Sequence, residues 1–278
     1  MNIKKIITIV AVVLISVLMI YGFILIRQIF ADNTKFEENE VYVFVPTDAN
    51  YEDVKKIVAP YVEDMNRFDV VANKKSYPTN VKSGRFLFKK GMNSNELINA
   101  LRLNLAVNLA FNNQERLEDF AGRIGSQIEA DSLSLLTAFK DSTFLKENGF
   151  NEENVLTMFI PNTYEIFWNT SADKFRDKMI KEYRNFWNEE RVEKAKKQGL
   201  TPIEATILAS IVHKESVKKD ERPRIAGVYL NRLHKGMLLQ ADPTVIYAVK
   251  KKSNDFKQVI KRVLNKDLQV ASPYNTYY

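Results

Sequence analysis

The chain predicts an α+β protein: an N-terminal transmembrane helix, a small α+β module, and a mixed α/β domain around a central acid-bearing helix. Three observations predict it. Ile6–Ile26, IITIVAVVLISVLMIYGFILI, is uncharged and apolar over about 20 residues, enough to cross a bilayer as a helix. From Val41 onward, strand-like alternation and helix-like spacing follow one another in short blocks. Further along, TPIEATILASIVHKES has a clear helix start and carries Glu215 where a leucine would be expected.

The apolar run is preceded by Lys4 and Lys5 and followed by Arg27. It is longer than a signal-peptide core and lacks a small-residue cleavage site, so an uncleaved anchor is expected. The basic start favours a cytoplasmic tip at 1–5, a span at 6–26 and the remainder outside. That topology fits a single-pass protein of the bacterial inner membrane with a periplasmic or extracytoplasmic body. A polar linker is expected over 27–40.

Composition excludes several classes. The 278 residues contain no cysteine, which removes disulfides, thiolate metal sites and a lipid-modified cysteine anchor. The net charge is +7 and the pI about 9.2, but the basic residues are scattered outside Lys218-Lys219 and Lys250–Lys252. No basic stripe interleaved with aromatics appears, so nucleic acid is not an expected partner.

VYVFVP, Val41–Pro46, alternates as a strand. A helix follows from Thr47 or Asn50, with apolar positions at Val54, Ile57, Val58 and Val62. GRFLFKKG, Gly84–Gly91, is a second strand and NSNELINALRL a short helix, which completes the module over 41–103. A connecting region, 104–157, follows. It opens on a strand, Leu103–Phe111, and continues with helices over Asn113–Gln127 and Asp131–Phe139. The last domain, 158–278, starts at MFIPNTYEIFWNTS, expected as a loop or short strands. One long amphipathic helix is expected over Ala172–Gln198, with Phe175, Met179, Tyr183, Phe186 and Trp187 on its apolar side. Ile225–Leu233 has helical spacing that Gly236 can stop, and Gln240, Asp242 and Thr244 form a short turn around Pro243.

The acid-bearing helix fixes its own geometry. Thr201 is a good N-cap, Pro202 suits the first helical position, and Glu204 completes a capping box. At ~100° per residue, Ile207, Leu208, Ile211 and Val212 cover an arc of about 140°. Glu215 falls within about 10–20° of the middle of that arc, and His213 points almost the opposite way. The acid is therefore expected to continue the buried stripe by one turn, at the floor of a cleft. A carboxyl group in partly apolar surroundings favours its protonated form, which suits protonation of a poor leaving group. The alternative is a glutamate satisfied by backbone donors or by an arginine, with Arg222, Arg224 and Arg232 close in sequence.

Other chemistries fit less well. His213-x-Glu215 opens a zinc deaminase signature, but that signature requires downstream cysteines. With His234 the only other histidine, a zinc site would lack its usual ligands, so no metal is expected. Ser210 and Ser216 have no nucleophile-elbow context.

The order of motifs adds more. ILASIVHKES, then VYLNRL, then GMLLQADPTVIYA, then SPYNTY resembles the YceG-like (MltG-type) endolytic lytic transglycosylases of bacterial cell walls. IPNTYEIFW resembles a further family block, with Asn162 where aspartate is more usual, and 41–103 is similar to the family's LysM-like module. The resemblance implies cleavage of the MurNAc–GlcNAc β-1,4 bond of nascent peptidoglycan strands to leave 1,6-anhydro-MurNAc ends, with no cofactor. It places the catalytic glutamate at Glu215. Many relatives carry another glutamate where this chain has His213. Asn231, Gln240, Asp242, Thr244, Tyr274, Asn275 and Thr276 match family blocks and are expected to shape the substrate cleft. Peptidoglycan synthases, the penicillin-binding proteins, are implied partners. Relatives continue beyond the Tyr-Asn-Thr-Tyr block, so the catalytic domain is expected to be cut short at Tyr278. Two other readings stay open: a hydrolytic glycosidase with Asp220, Glu221 or Asp242 as second carboxylate, and a non-catalytic, membrane-anchored glycan-binding or scaffold protein.

Overall fold

The computed structural model describes residues 3–278, and within the first helix the side chains of 9–24, 26, 27 and 30. That helix, α1, runs Ile3–Phe30. Its described apolar side chains, Ile9 to Ile24 among them, are exposed on every side. Among the described residues no helix is long and apolar enough to cross a membrane. The unbroken described stretch, 9–24, is shorter than the about 20 residues a span requires. The predicted span at 6–26 thus lies partly outside the described side chains, and the predicted tip at 1–5 wholly outside them.

The chain divides into two compact units. Unit 1 comprises residues 1–141 and 161–176, and unit 2 comprises 142–160 and 177–278.

Unit 1 begins with the predicted strand–helix alternation. β1 (Glu40–Val45) pairs antiparallel with β2 (Gly84–Lys89), from Glu40 opposite Lys89 to Val45 opposite Gly84. α2 (Tyr51–Val58) starts at Asn50, whose side chain accepts from Asp53 N while Asp53 accepts from Asn50 N. α3 (Met65–Lys74) is not among the expected elements. Asp64 caps it by accepting from the Asn66 and Arg67 backbone. α4 (Ser94–Ala100) carries a second capping box, between Asn93 and Glu96. Val43, Val45, Val54, Val58, Phe68, Phe86, Phe88, Leu97 and Ile98 close around one core. Each such side chain contributes about 1.5–3 kcal/mol on burial. Within the stretch predicted as linker, Asn33 is buried, donates to Asp64 O and Ser94 Oγ at 2.9 Å, and accepts from Asp64 N at 2.7 Å.

β3 (Ala106–Phe111) pairs antiparallel with β4 (Asn162–Phe167), so the aromatic stretch at 158–171 supplies a strand to unit 1. α5 (Leu117–Gly125) and α6 (Ser132–Phe139) complete the unit. Phe111, Phe120, Phe139 and Phe175 form a chain of rings with centroids 4.9–6.0 Å apart.

Unit 2 is helical. α7 (Ser142–Glu147), also unexpected, is followed by a 3₁₀ turn at Val155–Met158. The single helix predicted over Ala172–Gln198 is corrected to two, α8 (Ala172–Phe186), whose first turn belongs to unit 1, and α9 (Glu189–Lys197). Asn188 makes the break: its side chain accepts from Arg191 N at 3.0 Å, and Arg191 Nη1 donates to Phe186 O at 2.7 Å. Three more helices hold the candidate site: α10 (Pro202–Glu215), α11 (Arg222–His234) and α12 (Asp242–Ser253). The turn predicted around Pro243 is corrected to the first turn of α12, where proline's missing N–H costs no hydrogen bond.

Candidate active site

The start of α10 follows the sequence. Thr201 Oγ1 accepts from Glu204 N at 3.2 Å, and Glu204 Oε2 accepts from Thr201 N at 2.8 Å. Those bonds hold the Glu204 carboxyl below its usual range. Leu208 and Val212 are buried among Tyr229, Ala241 and the half-buried Ile211, Leu230 and Leu239. Ile207, expected on the same face, is 42% exposed.

Glu215 is the last residue of α10 and shares Leu208's direction to within about 20°. It is exposed. The expected buried acid is therefore corrected: the direction is as predicted, but the packed face stops at Val212. Beyond it, Ser216 is extended and its N–H closes the helix on Val212 O. Arg222 Nε donates to Ser216 O, and Ser216 Oγ donates to Glu221, which ties the departing chain to the start of α11.

What does hold Glu215 comes from α11. Tyr229 is buried, and its hydroxyl donates to Glu215 Oε2 at 3.3 Å. Burial, then the Glu215 charge and that hydrogen bond, push the Tyr229 phenol up to about 12. It therefore remains a donor at neutral pH. A second tyrosine–carboxylate pair lies within electrostatic reach of the first: Tyr277 OH donates to Asp242 Oδ1 at 2.7 Å. That bond, then burial and the charges of Asp242 and Glu215, raise the Tyr277 phenol. Each phenol feels both carboxylates. Arg232 opposes both shifts, but its own bonds go to Leu238 O, Leu239 O and Gln240 Oε1. Arg222 likewise meets Ser216 O, and among the described residues no ion pair holds Glu215. An arginine-satisfied glutamate is thus not what the geometry displays.

The predicted cleft residues separate into three groups. Gln240, Asp242, Thr244 and Thr276 come together. Gln240 N donates to Thr276 O at 2.9 Å, Ala241 N to Thr276 Oγ1 at 3.0 Å, and the Thr244 and Thr276 hydroxyls share a 2.9 Å bond. These bonds fasten the C-terminal segment against the first turn of α12 and set Tyr277 over Asp242. Asn275 is buried and donates to Leu268 O and Val270 O, which makes it a brace. Tyr274 lies against Tyr247 and bonds to Lys251, and Asn231 is exposed about 200° round α11 from Tyr229. Neither bonds to Glu215 or Asp242. Tyr229, Arg232 and Tyr277 were absent from the predicted set, although Tyr229 sits in VYLNRL and Tyr277 adjoins Thr276.

His213 is exposed, with its pKa lowered by partial burial and then by Arg222 and Lys214. Among the described residues no group of three or more His, Asp or Glu side chains can hold a metal ion.

Across 43–278 the chain matches the model of the YceG-like family. It belongs to that family. This YceG-like chain is 28% identical over 239 residues to the endolytic murein transglycosylase of Bacillus subtilis (strain 168), covering 77% of the chain and 64% of that protein. It is 25% identical over 272 residues to the endolytic murein transglycosylase of Streptococcus pneumoniae serotype 2, covering 85% of the chain and 48% of that protein. The chain therefore spans less than two thirds of the length of these relatives. A crystal structure of a yceG-like protein of Listeria monocytogenes shares the fold, with a TM-score of 0.54 at 23% identity over 87% of this chain and 83% of that one.

Proposed function

We propose that the chain is a membrane-anchored endolytic murein transglycosylase, cutting the MurNAc–GlcNAc β-1,4 bond with Glu215 as acid and then base. The observation that carries the reading is the Glu215–Tyr229 pair at the end of α10, in a chain similar to proteins named for that activity. Protonated Glu215 donates to the glycosidic oxygen as the C1–O4 bond breaks and positive charge develops at C1. The resulting carboxylate takes the proton from the sugar's C6 hydroxyl, and the O6–C1 bond closes the anhydro ring. No water is consumed. Tyr229 holds the carboxylate in one orientation through both steps, since its phenol keeps its proton at neutral pH. The Asp242–Tyr277 pair places further negative charge beside the cationic centre. Because Glu215 is exposed, the bound glycan itself must exclude water from it.

The apolar run at 6–26 supports an anchor in the cytoplasmic membrane with the two units outside it. The strand–helix–helix–strand–helix order over 40–100 supports a LysM-like role for that part of unit 1. Asp242, a second carboxylate held by a tyrosine at the start of α12, supports a second reading, hydrolysis. Mass spectrometry of glycan strands digested by the full chain separates the two. Transglycosylation yields 1,6-anhydro-MurNAc ends, whereas hydrolysis yields reducing ends one water heavier; intact strands would refute both.

A further inference from the structure

Unit 1 contains an open cavity of about 500 Å³ beside the face of the β1–β2 ribbon turned away from the core. Small-ligand sites span about 300–1,000 Å³. Strand alternation explains its lining. Val43 and Val45 point inward, so Tyr42 and Phe44 point outward and remain 42% and 41% exposed. Such a face ordinarily carries polar side chains. Arg85 stands directly across from Phe44, Trp168 lies beside Phe44 with ring centroids 5.0 Å apart, and Asn108 is part of the wall.

Arg85 is half-buried. Its Cζ lies 4.4 Å from the Tyr42 ring centroid, its Nη2 donates to Ala106 O, and its Nε is buried without a partner. Among the described residues no carboxylate pairs with it. Glu129, whose backbone N–H donates to Trp168 O, commits its carboxylate to Thr47 N and Oγ1, at 2.6 Å each. A half-buried cation lining an open cavity, with no described carboxylate paired to it, favours an anionic visitor.

The geometry points to a carboxylate-binding subsite: a small ligand sets its carboxylate against Arg85 and lays an apolar face on Phe44 and Trp168. Two sources share that chemistry, a carboxylated amino sugar and the C-terminus of a short peptide. The subsite lies wholly in unit 1 and stands apart from the cleavage reading, whose residues lie in unit 2.

The test titrates the full chain, in detergent micelles, with N-acetylmuramic acid, with D-alanyl-D-alanine and with the neutral control N-acetylglucosamine. Tryptophan fluorescence is followed, and Trp168→Phe identifies the responding ring. At least one carboxylate probe is expected to saturate the signal while the neutral sugar does not. Response to the sugar acid alone assigns a glycan ligand, and response to the dipeptide alone assigns a peptide. Arg85→Met is expected to weaken binding at least ~10-fold, the loss of one charged hydrogen bond. Arg85 also braces Ala106, so Asn108→Asp serves as a second variant: it adds a repelling charge at an exposed position and leaves every Arg85 bond in place. It too should weaken binding. Absence of saturable binding by both acids, equal binding of the neutral sugar, or unchanged affinity in a folded variant would overturn the subsite. Glycan cleavage measured on the same samples keeps its failure separate from that of the active-site reading.

Discussion

Glu215 depends on Tyr229 for its orientation. Tyr229→Phe removes the hydrogen bond that, among the described residues, holds that carboxylate, and keeps the ring that packs on Leu208 and Val212. The turnover rate is expected to fall roughly tenfold, the scale of one lost charged hydrogen bond, with the unfolding midpoint nearly unchanged. Asp242→Asn is expected to lower the pH at which Tyr277 titrates, because the bond to the carboxylate is the largest cause holding that phenol up. Ultraviolet absorbance during base titration measures it. If Asp242 only supports the cation, the same variant slows cleavage and still leaves anhydro ends. Loss as complete as that from removing Glu215 would favour hydrolysis. The direction of Glu215 was legible because the Thr201 cap fixes the helical phase. Its exposure was not, since a helical wheel gives an angle around the axis and not how far the neighbouring helices extend. Tyr277 escaped for a related reason: its partner, Asp242, is distant in sequence and meets it only once Thr276 is fastened to Thr244.

Where local hydrogen bonds decide an element, its ends could be read. The capping boxes at Asn50, Asn93 and Thr201 all stand where a Ser/Thr/Asn precedes an acid by three residues. Thr201→Ala is expected to destabilise the chain by about 1 kcal/mol, measured by urea unfolding. The Glu204 half of that box has a pH signature. Its folded-state pKa lies below the ordinary 4.5, so its contribution is complete above the usual carboxylate range. It disappears as pH falls through the lower folded value, and Glu204→Gln should flatten that part of the stability profile. The break between α8 and α9 was harder to read. Residues 172–198 keep helical amphipathicity throughout, and only the competition of Asn188 for Arg191 N interrupts them. Pro243 carried the same first-turn signal as Pro202 but was masked by the surrounding polar residues.

At the scale of the molecule, the α+β class and the apolar run were legible, whereas the interleaving of the two units was not. Residues 142–160 belong to unit 2 and 161–176 to unit 1, an exchange set by the pairing of β3 with β4 across some fifty residues of chain. Periodicity within short windows carries no information about such partners. If 6–26 anchors the chain, a version lacking residues 1–30 should move from the membrane fraction to the soluble fraction with the core of unit 1 intact, as near-ultraviolet circular dichroism of its buried aromatics would report. Cleavage rests on a single carboxyl group, which is tested by comparing digestion of purified glycan strands by the full chain and by Glu215→Gln. With Glu215 as acid and base, the variant yields no detectable new chain ends at an unfolding midpoint within experimental error of the parent; a folded variant that still cuts at a substantial fraction of the parent rate rules out that role.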